Sequence, residues 1–144
     1  MNDPTEHPPA PAELDDVLYR NMIEQAGDAI IFADRNGAIQ AWNRGAENLF
    51  GYTADEARHS SLDVIIPEPL RNAHWLGFHR AVESGRTKHG DKVLTTKAIH
   101  KDGHKLYVDL HFCLVTDALG RVAGALAIGR DCTQRYLAEK ARRS

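Results

Sequence analysis

One histidine is placed where its imidazole could do chemistry. On a wheel turning 100° per residue, His74 falls at the centre of an apolar stripe on one long predicted helix. The other members of that stripe are Leu70, Gly77, Phe78 and Ala81. A buried imidazole needs a partner for its nitrogens, because an unsatisfied buried polar group costs about 1–3 kcal/mol. Two interpretations stay open here: a core histidine bonded to a nearby polar group, or a ligand to a metal such as haem iron.

The other histidines are weaker candidates. Three of them fall in predicted loops or turns, where we expect solvated side chains: His59, His100 and His104. His111 is predicted to face outward from a strand. His79 is five residues from His74 and lies on a different helix face, so the two cannot chelate one metal as an HxxxH pair would. The sequence therefore does not favour a zinc or iron site without haem.

Catalysis by the chain itself is not predicted. The sequence contains no GxSxG, P-loop or HExxH motif, and no nucleophile with a recognisable neighbouring base. Its 144 residues suit one domain. The net charge of −2, with basic and acidic residues interleaved, gives no electrostatic reason to expect nucleic acid.

The expected cellular location of the protein follows from the lack of a membrane segment and of a secretory signal in the sequence. No apolar run approaches the ~20 residues that span a bilayer, so no membrane segment is predicted. Residues 1–12 carry four prolines and lack the features of a secretory signal, so we expect a disordered lead and a cytoplasmic protein. Cys113 and Cys132 should then remain reduced thiols.

The elements that must position His74 follow from the pattern of apolar and turn residues. Its helix is predicted to begin at Pro67-Glu68-Pro69 and to end near Ser84, before Gly85. A helix over 13–26, strands over 29–34 and 38–42, and short helices capped by Asn43 and Thr53 precede it. Three longer strands follow, over 93–100, 106–116 and 122–131, and the chain ends in a helix from 133.

This order predicts an α+β fold, because strands joined by tight turns must pair antiparallel. Alternation along 106–114 predicts one core face, formed by Leu106, Val108, Leu110, Phe112 and Leu114. The last strand instead places three small residues on one face: Ala123, Ala125 and Ala127. Such a face indicates either closely packed neighbours or space left for a ligand.

Several motifs resemble those of PAS domains. The run from Ala29 to Thr53, with its Asn-Gly turn, "WN" and "LFGY", is similar to the N-terminal half of that family. Lys101-Asp102-Gly103, the run Asp117–Gly124 and Gly129–Thr133 are similar to the C-terminal half. The resemblance covers about residues 15–140. It implies a five-stranded antiparallel sheet with short helices and one long helix on one face. The PAS core is expected over residues 27–132, and residues 133–144 are expected to form the start of a C-terminal signalling helix.

The stretch Ile66–His74 further resembles the haem-bearing PAS domains of bacterial oxygen-sensor kinases. That resemblance implies a gas- or redox-sensing module that binds haem b, with His74 as the proximal ligand and Arg80 on a haem propionate. Lys88 stands where a histidine serves the other propionate, and His89 is adjacent.

The sequence also departs from those sensors. Leu94 stands where an arginine stabilises bound oxygen, and leucine cannot donate a hydrogen bond. Leu110 and Phe112 occupy apolar distal positions, although Lys92 replaces a distal isoleucine. Ala125 and Ala127 would leave room beside the ring. An apolar distal side fits carbon monoxide, nitric oxide or a redox signal better than oxygen.

Other functions remain open within this family. Trp75, Gly77 and Phe78 also resemble short PAS proteins for which the resemblance implies no cofactor. The chain could then be an interaction module, or bind a small apolar metabolite. A flavin is less favoured because no cysteine-centred motif is present. We expect a homodimer formed through the N-terminal helix and the outer face of the sheet, and a downstream signalling protein or output domain.

Overall fold

The computed structural model describes residues 13–88 and 90–144. In chain order its helices and strands are α1 (Asp16–Gln25), β1 (Ala29–Asp34), β2 (Ile39–Trp42), α2 (Arg44–Phe50), α3 (Ala54–Ala57), α4 (Arg71–Ser84), β3 (Leu94–Ile99), β4 (Lys105–Thr116), β5 (Val122–Asp131) and α5 (Thr133–Arg143). Two 3₁₀ turns, Leu62–Ile65 and Glu68–Leu70, lie before α4. The predicted lead, 1–12, lies outside the described residues.

The five strands form one antiparallel sheet in the order β2-β1-β5-β4-β3. This confirms the predicted α+β fold. The chain's first and last strands therefore meet in the middle, where β5 pairs with both β1 and β4. Residues 100 to 104 form the turn that joins β3 to β4, and residues 117 to 121 join β4 to β5.

The predicted helix caps are present. Asn43 Oδ1 accepts the backbone N–H of Ala46, and Gly51 ends α2 in the left-handed region at φ 85°. Thr53 and Glu56 cap each other's backbone N–H groups at the start of α3. The buried Asn43 side chain also donates to the carbonyls of Ile23, Ala26 and Asp28, which ties the chain after α1 to the sheet.

The main core lies between the sheet and helices α2 and α3, and we call this region the packed side. Its largest fully buried residues are Trp42, Phe50, Ile39, Val108 and Asn43. The Trp42 and Phe50 rings lie 5.5 Å apart, and Trp42 Nε1–H donates to the Tyr52 carbonyl at 2.9 Å. Aromatic packing of this kind, with its polar atom satisfied, is the main source of stability in a small core.

Helix α4 packs less completely, and we call the region between α4 and strands β3–β5 the open side. Only Phe78 and Val82 of α4 are buried. The predicted apolar stripe is therefore wrong in part: Leu70 is 40% exposed and Gly77 is exposed. Leu70 lies in the 3₁₀ turn before α4, so a wheel of 100° per residue does not apply to it.

The two flanking helices lie at the ends of the described chain. Helix α1 has no buried residue and leaves apolar side chains exposed. Helix α5 is fastened to β4 because the rings of Tyr136 and Tyr107 stack with centroids 3.9 Å apart. In residues 13–88 and 90–144, no helix combines the length and apolar character needed to cross a bilayer.

Candidate functional site

His74 lies in the second turn of α4, half-buried on the open side. Its Nδ1 atom is fully buried, and no hydrogen-bond partner for it exists among the described residues. Burial lowers the pKa of His74 below its usual value, although the nearby Asp63 carboxylate opposes the shift. The imidazole is therefore neutral near pH 7, with a polar atom that the protein fold does not satisfy.

Aromatic side chains hold His74 in place. The Trp75 ring meets it edge-on at 4.7 Å between centroids, and the Phe78 ring lies 6.1 Å away. Trp75 in turn donates from Nε1 to Asp63 Oδ1 at 2.7 Å. Its ring also covers Gly37 so closely that a Cβ there would overlap it. Trp75 thus fixes α4 against the β1–β2 hairpin, and this sets the position of the adjacent imidazole.

A cleft of about 710 Å³ opens on one side of His74. Its apolar wall comes from α4 and from the β4 segment Phe112–Leu114, and its rim carries four cationic residues. These are Arg80, Arg86, Lys88 and Lys92. Within the described residues none of the four forms a salt bridge. The cleft therefore combines an apolar interior with positive charge at its mouth, which suits a flat apolar ligand that carries carboxylates.

A second cavity of about 350 Å³ adjoins the first and also contacts His74. Its wall is almost wholly apolar and includes residues from the sheet, from the 3₁₀ turn Leu62–Ile65 and from α4. Five residues line both spaces: Ala73, His74, Phe78, Phe112 and Ala125. The unsatisfied imidazole thus stands where the cationic cleft meets the apolar cavity.

The structure brings the sequence-derived site residues together around these two spaces. The cleft is lined by His74, Arg80, Lys88, Leu94, Phe112 and Ala125, and the inner cavity by His74, Leu110, Phe112, Ala125 and Ala127. His89 lies outside the described residues. The small residues Ala125 and Ala127 therefore border open space rather than tight packing. This explains why Leu110 and Phe112 are only half-buried on the predicted core face.

Sequence reasoning missed a second group of histidines. His100 was expected to be solvated, but its side chain is only 22% exposed, because the ring packs against Gly51. Together with Asp102 and His104 it forms a cluster whose candidate ligand atoms all lie within 4.8 Å of one another. The His-x-Asp-x-His spacing across a tight turn was the signal that could have revealed it. The two cysteines are unpaired, Cys113 half-buried and Cys132 buried.

Asp109 is another polar residue that the sequence did not single out. It lies on β4, where Arg135 of α5 donates to it at 3.0 Å and Thr95 of β3 at 2.7 Å. Hydrogen bonds from Arg135 first, and then from Thr95, lower the pKa of Asp109 to about 2. One carboxylate thus joins two strands of the open side to the C-terminal helix.

These features match a known family. The PAS family model, described as the PAS fold, matches residues 18–132, and the chain belongs to this family. It therefore carries a sensory PAS domain.

Curated relatives are larger proteins. Oxygen sensor protein DosP of Escherichia coli is 27% identical over 118 residues, which are 82% of this chain and 14% of DosP. Sensor protein FixL of Bradyrhizobium diazoefficiens is 36% identical over 55 residues, 38% of this chain and 11% of FixL. A probable serine/threonine-protein kinase of Dictyostelium discoideum is 32% identical over 75 residues, 52% of this chain and 5% of the kinase. The chain thus spans a small part of the curated relatives it matches.

Solved structures share the fold. A PAS domain from Colwellia psychrerythraea is 26% identical, with a TM-score of 0.70 over 83% of this chain and 99% of that one. An RNA-binding light-oxygen-voltage receptor is 21% identical, with a TM-score of 0.64 over 93% of this chain and 39% of that one. The second likeness shows the fold alone.

Proposed function

We propose that this PAS domain is a sensor that holds haem b between α4 and the sheet, with His74 as the axial ligand of the iron. The observation that carries the proposal is a neutral imidazole that lines both a cationic cleft and an apolar cavity, and whose buried Nδ1 has no partner among the described residues. A neutral imidazole is the commonest axial donor to haem iron. Similarity to oxygen sensor protein DosP and sensor protein FixL supports the same class.

The remaining residues have distinct parts in this proposal. Arg80 and Lys88 at the rim pair with the propionates, since guanidinium and ammonium groups form charge-assisted hydrogen bonds with carboxylates. His89, which is adjacent to Lys88 in sequence, is proposed from the sequence alone as a further group for the propionates. Leu94, Leu110 and Phe112 provide an apolar wall opposite the helix, while the small side chains of Ala125 and Ala127 leave room for the ring.

When bound, haem supplies an iron atom whose free position takes a diatomic gas or records a redox change. The wall facing it offers no hydrogen-bond donor at Leu94, so carbon monoxide, nitric oxide or redox state is the proposed signal rather than oxygen. Asp109 is adjacent to Leu110 on β4, and it links that strand to Arg135. We propose that movement of β3 and β4 reaches α5 through this bond and biases a two-state response, without catalysis by the chain.

Haem titration of the purified apoprotein tests the proposal. The wild type should bind one equivalent and develop a Soret band, and His74→Ala should lose it. The matched control is His79→Ala, which removes an exposed imidazole from the same helix and should bind as the wild type does. A wild type that stays colourless, or a His74→Ala variant with an unchanged spectrum, would contradict the assignment.

The inner cavity supports a second candidate, a small apolar metabolite in place of haem. Its wall of aliphatic and aromatic side chains spans both helix and sheet, as in many small-molecule sites. Such a ligand needs no nitrogen donor. If an apolar metabolite is the ligand, extraction of the purified protein followed by mass spectrometry should recover it equally from wild type and His74→Ala.

We further propose that the domain forms a homodimer through α1 and couples to an output domain or partner after α5. Six apolar residues at or next to α1 are exposed by between 37% and 60%: Leu14, Val17, Leu18, Tyr19, Met22 and Ile23. Burying such a stripe against a second copy removes its contact with water. Val17→Glu with Met22→Glu should convert a dimer to a monomer in light scattering, whereas Arg20→Glu on the same helix should not. A double variant that stays dimeric would exclude α1 as the interface.

A further inference from the structure

The turn between β3 and β4 gathers two imidazoles and one carboxylate at alternate positions. His100 follows β3, His104 precedes β4, and Asp102 lies between them. The backbone N–H of His100 donates to the His104 carbonyl at 2.9 Å, which places the two histidines opposite each other across the turn. Their rings stack with centroids 4.4 Å apart. Two donors of the kind that bind transition metals therefore face the same side.

The Asp102 carboxylate lies between the two imidazoles. Its Oδ1 is 3.2 Å from Nδ1 of His100 and 2.5 Å from Nδ1 of His104. The backbone N–H of Asp102 donates to His100 Nδ1 at 3.1 Å, so that nitrogen is unprotonated, and this hydrogen bond must break before Nδ1 can take an ion. A deprotonated ring nitrogen is the form that ligates a metal.

Contacts with the end of α2 and with α3 fix the conformation of the turn. The His100 ring packs on Gly51, where an added Cβ would come within 2.5 Å of the ring. The Lys101 backbone N–H donates to the Phe50 carbonyl at 2.9 Å, and the Lys101 ammonium pairs with Glu56. Asp102 and His104 remain 61% and 54% exposed. One ligand is therefore fixed against α2, and the other two are open to an ion from solvent.

The distances between donors suit a small ion. Bonds of about 2.0–2.2 Å to nitrogen and oxygen at tetrahedral angles place neighbouring donors about 3.3 Å apart. The His100–Asp102 pair is already at 3.2 Å. The His104–Asp102 pair must widen by less than about 1 Å and lose the proton that it shares, and both of its side chains are exposed.

We propose that His100, Asp102 and His104 form a binding site for a divalent transition-metal ion of the zinc type. Two imidazoles with one carboxylate favour such ions over magnesium or calcium, which prefer oxygen donors. Three protein ligands leave the remaining coordination positions to water. The site lies in the turn between β3 and β4 and uses none of the groups assigned to the proposed haem site. A bound ion would clamp the β3–β4 turn and stabilise the edge of the sheet.

Calorimetric titration of the metal-free full chain with Zn²⁺ tests this site. His104→Gln and Asp102→Asn each change an exposed side chain, and Asn can still accept the backbone N–H of His104. Each should weaken one equivalent of zinc binding by at least about tenfold. His111→Gln, which removes an imidazole outside the cluster, should leave zinc binding unchanged.

A second measurement guards against a general loss of structure. The melting temperature of the wild type should rise with Zn²⁺, while that of His104→Gln should equal the wild-type value without metal and not respond to it. Retention of wild-type affinity and stoichiometry in both variants would overturn the proposal. So would an equal loss of binding in His111→Gln.

Discussion

The packed side and the open side of this domain lie against the same sheet but are built differently. Helices α2 and α3 total only eleven residues (7 and 4) and bury Phe50, Ala46 and Ala57 against it. Helix α4 alone has 14 residues and buries only Phe78 and Val82. The longest helix therefore contributes little to the core, and two cavities lie beneath it.

The contrast separates the part of the chain that stabilises the fold from the part that is available to a ligand. On the packed side, buried polar groups such as Asn43 and the Trp42 indole are fully hydrogen-bonded. On the open side, the buried His74 Nδ1 has no partner among the described residues. This difference is the reason that we place the proposed ligand on the open side.

The largest effect is expected from truncation on the packed side. Trp42→Ala should lower the free energy of unfolding by about 3–5 kcal/mol, because it removes a fully buried ring and leaves a cavity. Phe112→Ala, which enlarges an existing cavity, should cost about 2 kcal/mol or less. Urea unfolding of both variants gives the comparison, with Phe50→Leu as a milder packed-side change. Equal losses for Trp42 and Phe112 would remove the distinction between the two sides.

Two helix glycines should respond with opposite signs. A Cβ at Gly45 in α2 would overlap the Asp28 carbonyl, which is backbone and cannot move aside, so Gly45→Ala should cost about 1–3 kcal/mol. A Cβ at Gly77 in α4 meets nothing within 4 Å. Gly77→Ala should therefore raise stability by about 0.5–1 kcal/mol through helix propensity. Thermal unfolding measures both, and destabilisation by Gly77→Ala would show that α4 is packed more closely than described.

Acid should weaken the open side through His74. Because burial lowers its pKa in the folded state, the unfolded chain binds the proton more readily. Relative to His74→Leu, the wild type should lose stability as the pH falls below about 6.5, the unfolded value, and the loss should stop below the folded pKa. Unfolding curves between about pH 5 and pH 8 test the sign. A difference that does not vary with pH would mean that His74 is not buried as a neutral group.

The smallest effect concerns the link from the sheet to α5. The Asp109–Arg135 pair is partly exposed, so its loss in Asp109→Asn should cost no more than about 1 kcal/mol. Its contribution is present above the usual Asp pKa and is lost as the pH falls towards about 2. Amide hydrogen exchange in α5 should speed up in Asp109→Asn at neutral pH. The control Asp117→Asn, at the β4–β5 turn, should leave exchange in α5 unchanged.

Local signals account for the elements that could be predicted from sequence. Asn43, Gly51 and the Thr53–Glu56 capping box act within a few residues of each other, so the short helices were placed correctly. Strand alternation and tight turns gave the antiparallel sheet. The strand order, with β5 between β1 and β4, depends on contacts between distant segments, and it was not predicted from the sequence.

The site was predictable in composition but not in shape. The alanines of β5 were ambiguous because small residues suit both close packing and open space, and only the position of α4 shows that Ala125 and Ala127 line a cavity. The wheel failed at Leu70 because helical periodicity changes at the 3₁₀ turn. His100 was missed because its burial comes from Gly51, which lies 49 positions away in the sequence.

The most direct test of the account is the effect of haem on thermal stability in the wild type and in His74→Ala. A ligand that binds only the folded state at about 100 times its Kd stabilises it by roughly 2.7 kcal/mol. The account predicts that haem raises the melting temperature of the wild type and leaves that of His74→Ala unchanged. Equal increases in both proteins, or none in the wild type, would contradict the claim that the open side is completed by a ligand bound through His74.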